Sequence, residues 1–158
     1  MLQRAFGIPS DRPLNFFGFF ALATQDPSEL APIQKVPHRD SPDPFRIAMV
    51  HYLCRNHAGG TAFFRHDATG FESIDASRAE AYEAAAAKEL AEADLPCHVT
   101  AETPGYEQID AAELRFNRLV VYRSHVLHSG LLDTLTLSDD PLTGRLTANS
   151  FIDIARPA

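Results

Sequence analysis

Apolar residues in this chain gather in short runs separated by turn-forming residues, not in long helical stripes. Residues 15–24 read Asn-Phe-Phe-Gly-Phe-Phe-Ala-Leu-Ala-Thr, an aromatic run between polar neighbours, and predict a buried strand. Three prolines in residues 25–37 predict a connecting loop. Residues 45–54 predict a second strand, residues 56–60 a turn ending in Gly59-Gly60, and residues 61–65 a third, short strand. Residues 77–93 form the one clear helical stretch, alanine-rich, with Ser77 as N-cap and Glu80 completing a capping box. Its alanine face predicts shallow packing on the outside of a sheet. Residues 95–106 carry two prolines and read as loop, and residues 109–116 fit neither period. Residues 119–122, 126–132 and 145–154 complete the strands. Many short strands and one inserted helix make a mainly β sandwich or barrel.

A chain of 158 residues is expected to fold as a single domain, residues 1–158. A formal charge of −7 disfavours nucleic acid and anionic membrane surfaces as partners. No run of eighteen apolar residues predicts a membrane span, and residues 1–10 lack the apolar core of a signal peptide. Cys54 and Cys97 form no Cys-x-x-Cys motif and are expected to be reduced, buried thiols of a cytoplasmic protein.

The chemistry centres on Pro37-His38-Arg39-Asp40. On extended backbone His38 and Asp40 point to one side, so a nitrogen and an anionic oxygen aim at one place. That is two-thirds of the two-histidine, one-carboxylate triad that holds non-haem iron(II). Taken alone, the pair also fits a solvated loop in which Asp40 caps a turn before Ser41-Pro42. A third ligand must come from far along the chain, and His125 and His128 compete for the role. Three apart on a strand, they would face opposite ways. His128, beside Ser129-Gly130, has room next to a metal, and His125 is expected at the surface or behind the ligands. His51, in a strand beside Tyr52, is expected to be a hydrogen-bonded core or surface residue, His57 lies in a turn, and His66 and His98 have no ligand partner at a useful spacing. Arg145 and Thr147 share a face of the last strand, and a buried guanidinium needs an anion. A surface ion pair with one of the 21 acidic residues is the alternative for Arg145.

Together, His38-x-Asp40, His51-Tyr52-Leu53, Gly59-Gly60-Thr61, Ser124-x-x-x-His128 and Arg145-x-Thr147 occur in an order that resembles the iron(II)/2-oxoglutarate-dependent dioxygenases. The prolyl-hydroxylase-like branch is the nearer likeness, and within it a bacterial family of undetermined function that shares the segments Gly-Gly-Thr-Ala-Phe-Phe-Arg-His and Gly-Arg-Leu-Thr-Ala-Asn. The likeness runs over residues 32–154. It implies a double-stranded β-helix (a cupin-like jelly roll) with one or two flanking helices. It implies iron(II) on His38, Asp40 and His128, and 2-oxoglutarate as co-substrate, its distal carboxylate on Arg145 with help from Thr147 and the Tyr52 hydroxyl. Molecular oxygen would be consumed and a C–H bond of a small-molecule or peptidyl substrate hydroxylated. Retention of Asp40 implies hydroxylation over halogenation. Arg145 follows His128 by 17 residues, a long gap for which residues 133–143 are expected to supply a hairpin extension. Only 37 residues precede His38, so the N-terminal region is expected to be short for this family. A non-catalytic jelly-roll binding module and a metal-dependent cupin-like protein without 2-oxoglutarate are the alternatives. Exposed sheet edges would allow a homodimer.

Overall fold

Backbone pairing gathers the apolar runs into two antiparallel sheets. The computed structural model describes residues 2–8, 14–55, 59–132 and 137–155. In chain order these form helix α1 (Leu2–Phe6) and strands β1 (Leu14–Leu22), β2 (Arg46–Tyr52) and β3 (Gly60–His66). Helix α2 (Ala79–Glu92) follows, then β4 (Tyr106–Glu113), β5 (Leu119–Arg123), β6 (His128–Leu131) and β7 (Leu146–Ile154). One sheet runs β1-β7-β2-β5 and the other β4-β3-β6. The predicted turn at 56–60 and the hairpin extension at 133–143 fall partly on residues 56–58 and 133–136, outside the described residues.

The two sheets are tied face to face. The Tyr52 hydroxyl on β2 meets the Thr61 hydroxyl on β3 at 2.7 Å. The Tyr122 ring on β5 meets Phe63 on β3 edge-on, with centroids 5.4 Å apart. Each outer face has its own cover. Ile47 and Met49 of the larger sheet are buried in one cluster with Ile8 and the flanking Phe6. Ala62 and Phe64 of the smaller sheet are buried in one cluster with Tyr82 and Ala86 of α2. A second tie fixes α2: His66, fully buried, reaches Glu89 Oε2 at 2.7 Å and Thr69 Oγ1 at 2.9 Å.

Four local expectations need correction. Helix α2 begins at Ala79 and Ser77 is not its N-cap; Asp75 instead accepts from the Ser77 and Arg78 amides in the turn before it. Strand β1 forms where the aromatic run predicts a strand, but it is the sheet's edge, and Phe16, Phe17, Phe19 and Phe20 are exposed. Cys97 is exposed, whereas Cys54 is buried; both are free. Residues 106–113 are a strand that the sequence pattern does not announce. Its alanines and acids are poor strand formers, and the register shift opposite Phe63/Phe64 breaks the alternation at Ile109.

Candidate metal centre

The site is built by a backbone contact. His38 lies in extended backbone beside the start of β6 and forms an isolated bridge with His128. Each donates its N–H to the other's carbonyl at 2.9 Å. Two residues on, the Asp40 N–H donates to Ser124 O at 2.9 Å, which holds the segment extended past the bridge. The i, i+2 relation then turns the Asp40 carboxylate towards both imidazoles. Asp40 Oδ1 lies 3.8 Å from His38 Nε2, and Oδ2 lies 3.5 Å from His128 Nε2. One ligand atom from each of the three residues lies within 4.8 Å of the other two.

The tautomer of His128 follows from its other nitrogen. Nδ1 lies 2.9 Å from the Val126 carbonyl, which can only accept, so Nδ1 carries the proton and Nε2 turns a lone pair to Asp40. Burial pushes His128 down to about 4. Loss of water and the neighbouring His128 push His38 down to about 4 as well. The His38 side chain keeps more water, 52% exposed against 6% for His128, so His128 carries the shift more fully. Burial raises the Asp40 carboxyl. At neutral pH the three groups are two neutral imidazoles and one carboxylate whose negative charge is poorly solvated. That donor set suits a divalent first-row ion. Ligand atoms at ~2.1 Å from such an ion sit ~3 Å apart at facial positions, so the side chains would close by on the order of 1 Å, and by more at the widest pair, to hold it.

A cavity of about 260 Å³ joins this triad to Thr147 on β7 and to Arg145, the residue just before that strand. It is slightly smaller than the ~300–1,000 Å³ usual for small-molecule sites. Arg145 donates through Nη2 to the Gly60 carbonyl at 3.2 Å, and its Nε is enclosed with no partner. Its guanidinium lies 5.7 Å from the Tyr52 ring centre. Burial lowers its pKa from the usual arginine value, and no carboxylate among the described residues pairs with it. An enclosed cation with a free donor is costly unless an anion joins it.

Tyr52 is fully buried behind this wall, and its hydroxyl is taken up by Thr61. It packs on Arg145 and does not line the cavity; the Thr61 side chain does. Sequence reasoning missed Thr61, and also Asn149, whose buried Oδ1 has no partner and which lines the same cavity two residues after Thr147. That i, i+2 spacing was the available signal. His125 stands apart from the triad, although not for the reason that strand alternation offers. It lies in the turn between β5 and β6, near Arg123 and Asp75, and burial lowers its pKa. His51 bonds Asn117, and His98 lines a second cavity of about 680 Å³ that adjoins the first at His38, Gly130 and Arg145. His57 lies outside the described residues.

A family model described as a family of unknown function, DUF6445, matches residues 1–152. The chain belongs to that family. No curated protein matches, and no solved structure matches. Among the described residues no helix is long and apolar enough to cross a membrane.

Proposed function

For this member of a family of unknown function, we propose an iron(II)- and 2-oxoglutarate-dependent oxygenase that hydroxylates a C–H bond of its substrate. One observation carries the reading: a two-histidine, one-carboxylate triad and an arginine with no carboxylate partner among the described residues line the same small cavity. Either alone has ordinary explanations. A metal next to a positively charged recess calls for a ligand that chelates at one end and is anionic at the other, and a keto diacid has that form.

The same proposal takes the sandwich as a double-stranded β-helix. With the extended segment at His38 counted as a strand, eight segments follow the chain. Their order is first-eighth-third-sixth in one sheet and second-seventh-fourth-fifth in the other. That order supports the reading, since two Greek keys combined in a jelly roll would pair in this way.

In this reading iron(II) on His38, Asp40 and His128 supplies the oxygen chemistry that couples loss of carbon dioxide from the co-substrate to hydroxylation. The chain's own residues do the positioning. Val126 O fixes the His128 tautomer, so the metal meets a lone pair without prior loss of a proton. Arg145, which borders the cavity, receives the distal carboxylate, with Thr147 and Thr61 lining the same cavity. Tyr52 acts one layer back: it holds Thr61 and the guanidinium in place. The cavity of about 680 Å³ leaves room for a substrate beside His38.

The test is succinate release by the purified chain with iron(II), 2-oxoglutarate and oxygen. Succinate that depends on all three supports the oxygenase. Metal binding without succinate formation favours a cupin-like metalloprotein, and no metal binding favours a binding module.

A further inference from the structure

Strand β1 is the outermost strand of its sheet, and among the described residues it pairs only with β7. Among the described residues ten large hydrophobics are exposed, and five of them lie on β1: Leu14, Phe16, Phe17, Phe19 and Phe20, at 44–74%. Soluble proteins blunt such edges with charge, proline or a bulge. The outer strand β4 does so with Glu107, Asp110 and Glu113. Strand β1 carries no charge or proline, and its register with β7 runs unbroken from Leu14 to Leu22.

The strand is also close to its own mirror image in sequence. Its nine residues, Leu-Asn-Phe-Phe-Gly-Phe-Phe-Ala-Leu, centre on Gly18, and only Asn15 and Ala21 break the symmetry. Backbone polarity agrees with that centre. Ala23 donates its N–H to Arg145 O on the β7 side, so odd-numbered residues turn their backbone groups to β7. Leu14, Phe16, Gly18, Phe20 and Leu22 therefore turn theirs to the open edge.

We propose that this edge pairs with the same edge of a second copy, antiparallel about a two-fold axis at Gly18. In that register Gly18 exchanges both hydrogen bonds with Gly18 of the second copy. Phe16 lies opposite Phe20 and Phe17 opposite Phe19, so every outward backbone group is used and like rings meet on both faces. The contact is isologous and closes at two. With ~150–250 Å² for a whole phenylalanine, the five side chains offer on the order of 500 Å² per copy. Two copies bring on the order of 1,000 Å², the lower bound for a specific interface, before backbone is counted. The charge of −7 opposes association in general, but none of it sits on this strand. Phe19 and Ala21 also line the cavity that holds the triad, so the joined edge would close its flank.

The experiment is solution mass by sedimentation or light scattering at micromolar concentration, on the full chain. The wild type is expected at twice 17.4 kDa. F16K/F20K, which sets lysine against lysine at both cross-copy pairs, is expected at 17.4 kDa. F16K/F20E, which sets lysine against glutamate at the same pairs, is expected to restore the dimer. Circular dichroism checks the fold of each, and if F16K/F20K does not fold, the mass of F16K/F20E decides. A monomeric wild type, a dimer that survives F16K/F20K, a monomeric F16K/F20E, or open-ended larger assemblies would each overturn the proposal.

Discussion

His38 and His128 face each other across a two-residue backbone bridge, each amide donating to the other's carbonyl at 2.9 Å, and their imidazole centroids lie 4.6 Å apart. Ninety positions of sequence separate them. Because the main chain makes the link, replacing either side chain leaves the bridge available, and ligand variants report on coordination more than on folding.

The first prediction separates the two rival histidines. His128→Ala is expected to weaken manganese(II) binding by at least about a hundredfold, since loss of even a supporting partner costs 10–100-fold. His125→Ala is expected to leave affinity within about threefold. Isothermal calorimetry on both variants checks this, and the reverse pattern would assign the ligand to the turn and not to β6.

Arg145→Gln tests the anion recess. Hydrogen bonds to charged groups contribute about 1.5–3 kcal/mol, or roughly 10–150-fold in affinity. 2-Oxoglutarate binding to the metal-loaded chain is expected to fall by that much while metal affinity holds. Equal loss of both would make Arg145 a structural residue of the cavity wall.

Tyr52→Phe should act on stability and not on the co-substrate. Its hydroxyl is occupied by Thr61 at 2.7 Å and does not reach the cavity. The expected cost is about 0.5–1.5 kcal/mol of unfolding free energy, with 2-oxoglutarate affinity within about threefold. Urea unfolding and calorimetry separate the two. A tenfold loss of affinity at unchanged stability would return Tyr52 to the carboxylate's own contacts.

Acid should destabilise the metal-free chain early. Buried His128 is held down to about 4 in the folded state against an ordinary value of 6.5, and His38 shifts in the same direction but less fully, because half of its side chain is exposed. The unfolded chain therefore takes up protons first as pH falls, so the contribution is complete above 6.5 and is lost between 6.5 and 4. Asp40, raised by burial, works the other way and limits the loss at the acid end. The expected outcome is a Tm that declines from pH 6.5 to 4.5, with a shallower decline in His128→Gln. Parallel declines in both would mean that His128 is not the group responsible.

Much of this was legible in the chain. The convergence of His38 and Asp40 could be read from extended-strand geometry because both residues belong to one segment. His128 could be preferred over His125 from its small neighbours, although the turn that sets His125 aside was not visible. Arg145 and Thr147 were readable as a shared face, whereas Thr61 was not, because its position opposite Tyr52 depends on how the sheets stack. The aromatic run at β1 announced a strand correctly, but burial is a property of sheet order, and nothing local says that β1 is an edge. His66 had no visible partner because Glu89 reaches it from a helix 23 residues away.

The most direct test is one titration, 2-oxoglutarate into the manganese(II)-loaded chain and into the metal-free chain. One equivalent is expected to bind to the loaded chain, at least about tenfold more tightly than to the metal-free chain, since metal and guanidinium grip opposite ends of one molecule. Equal affinity in the two forms, or no binding by the loaded chain, would contradict that expectation.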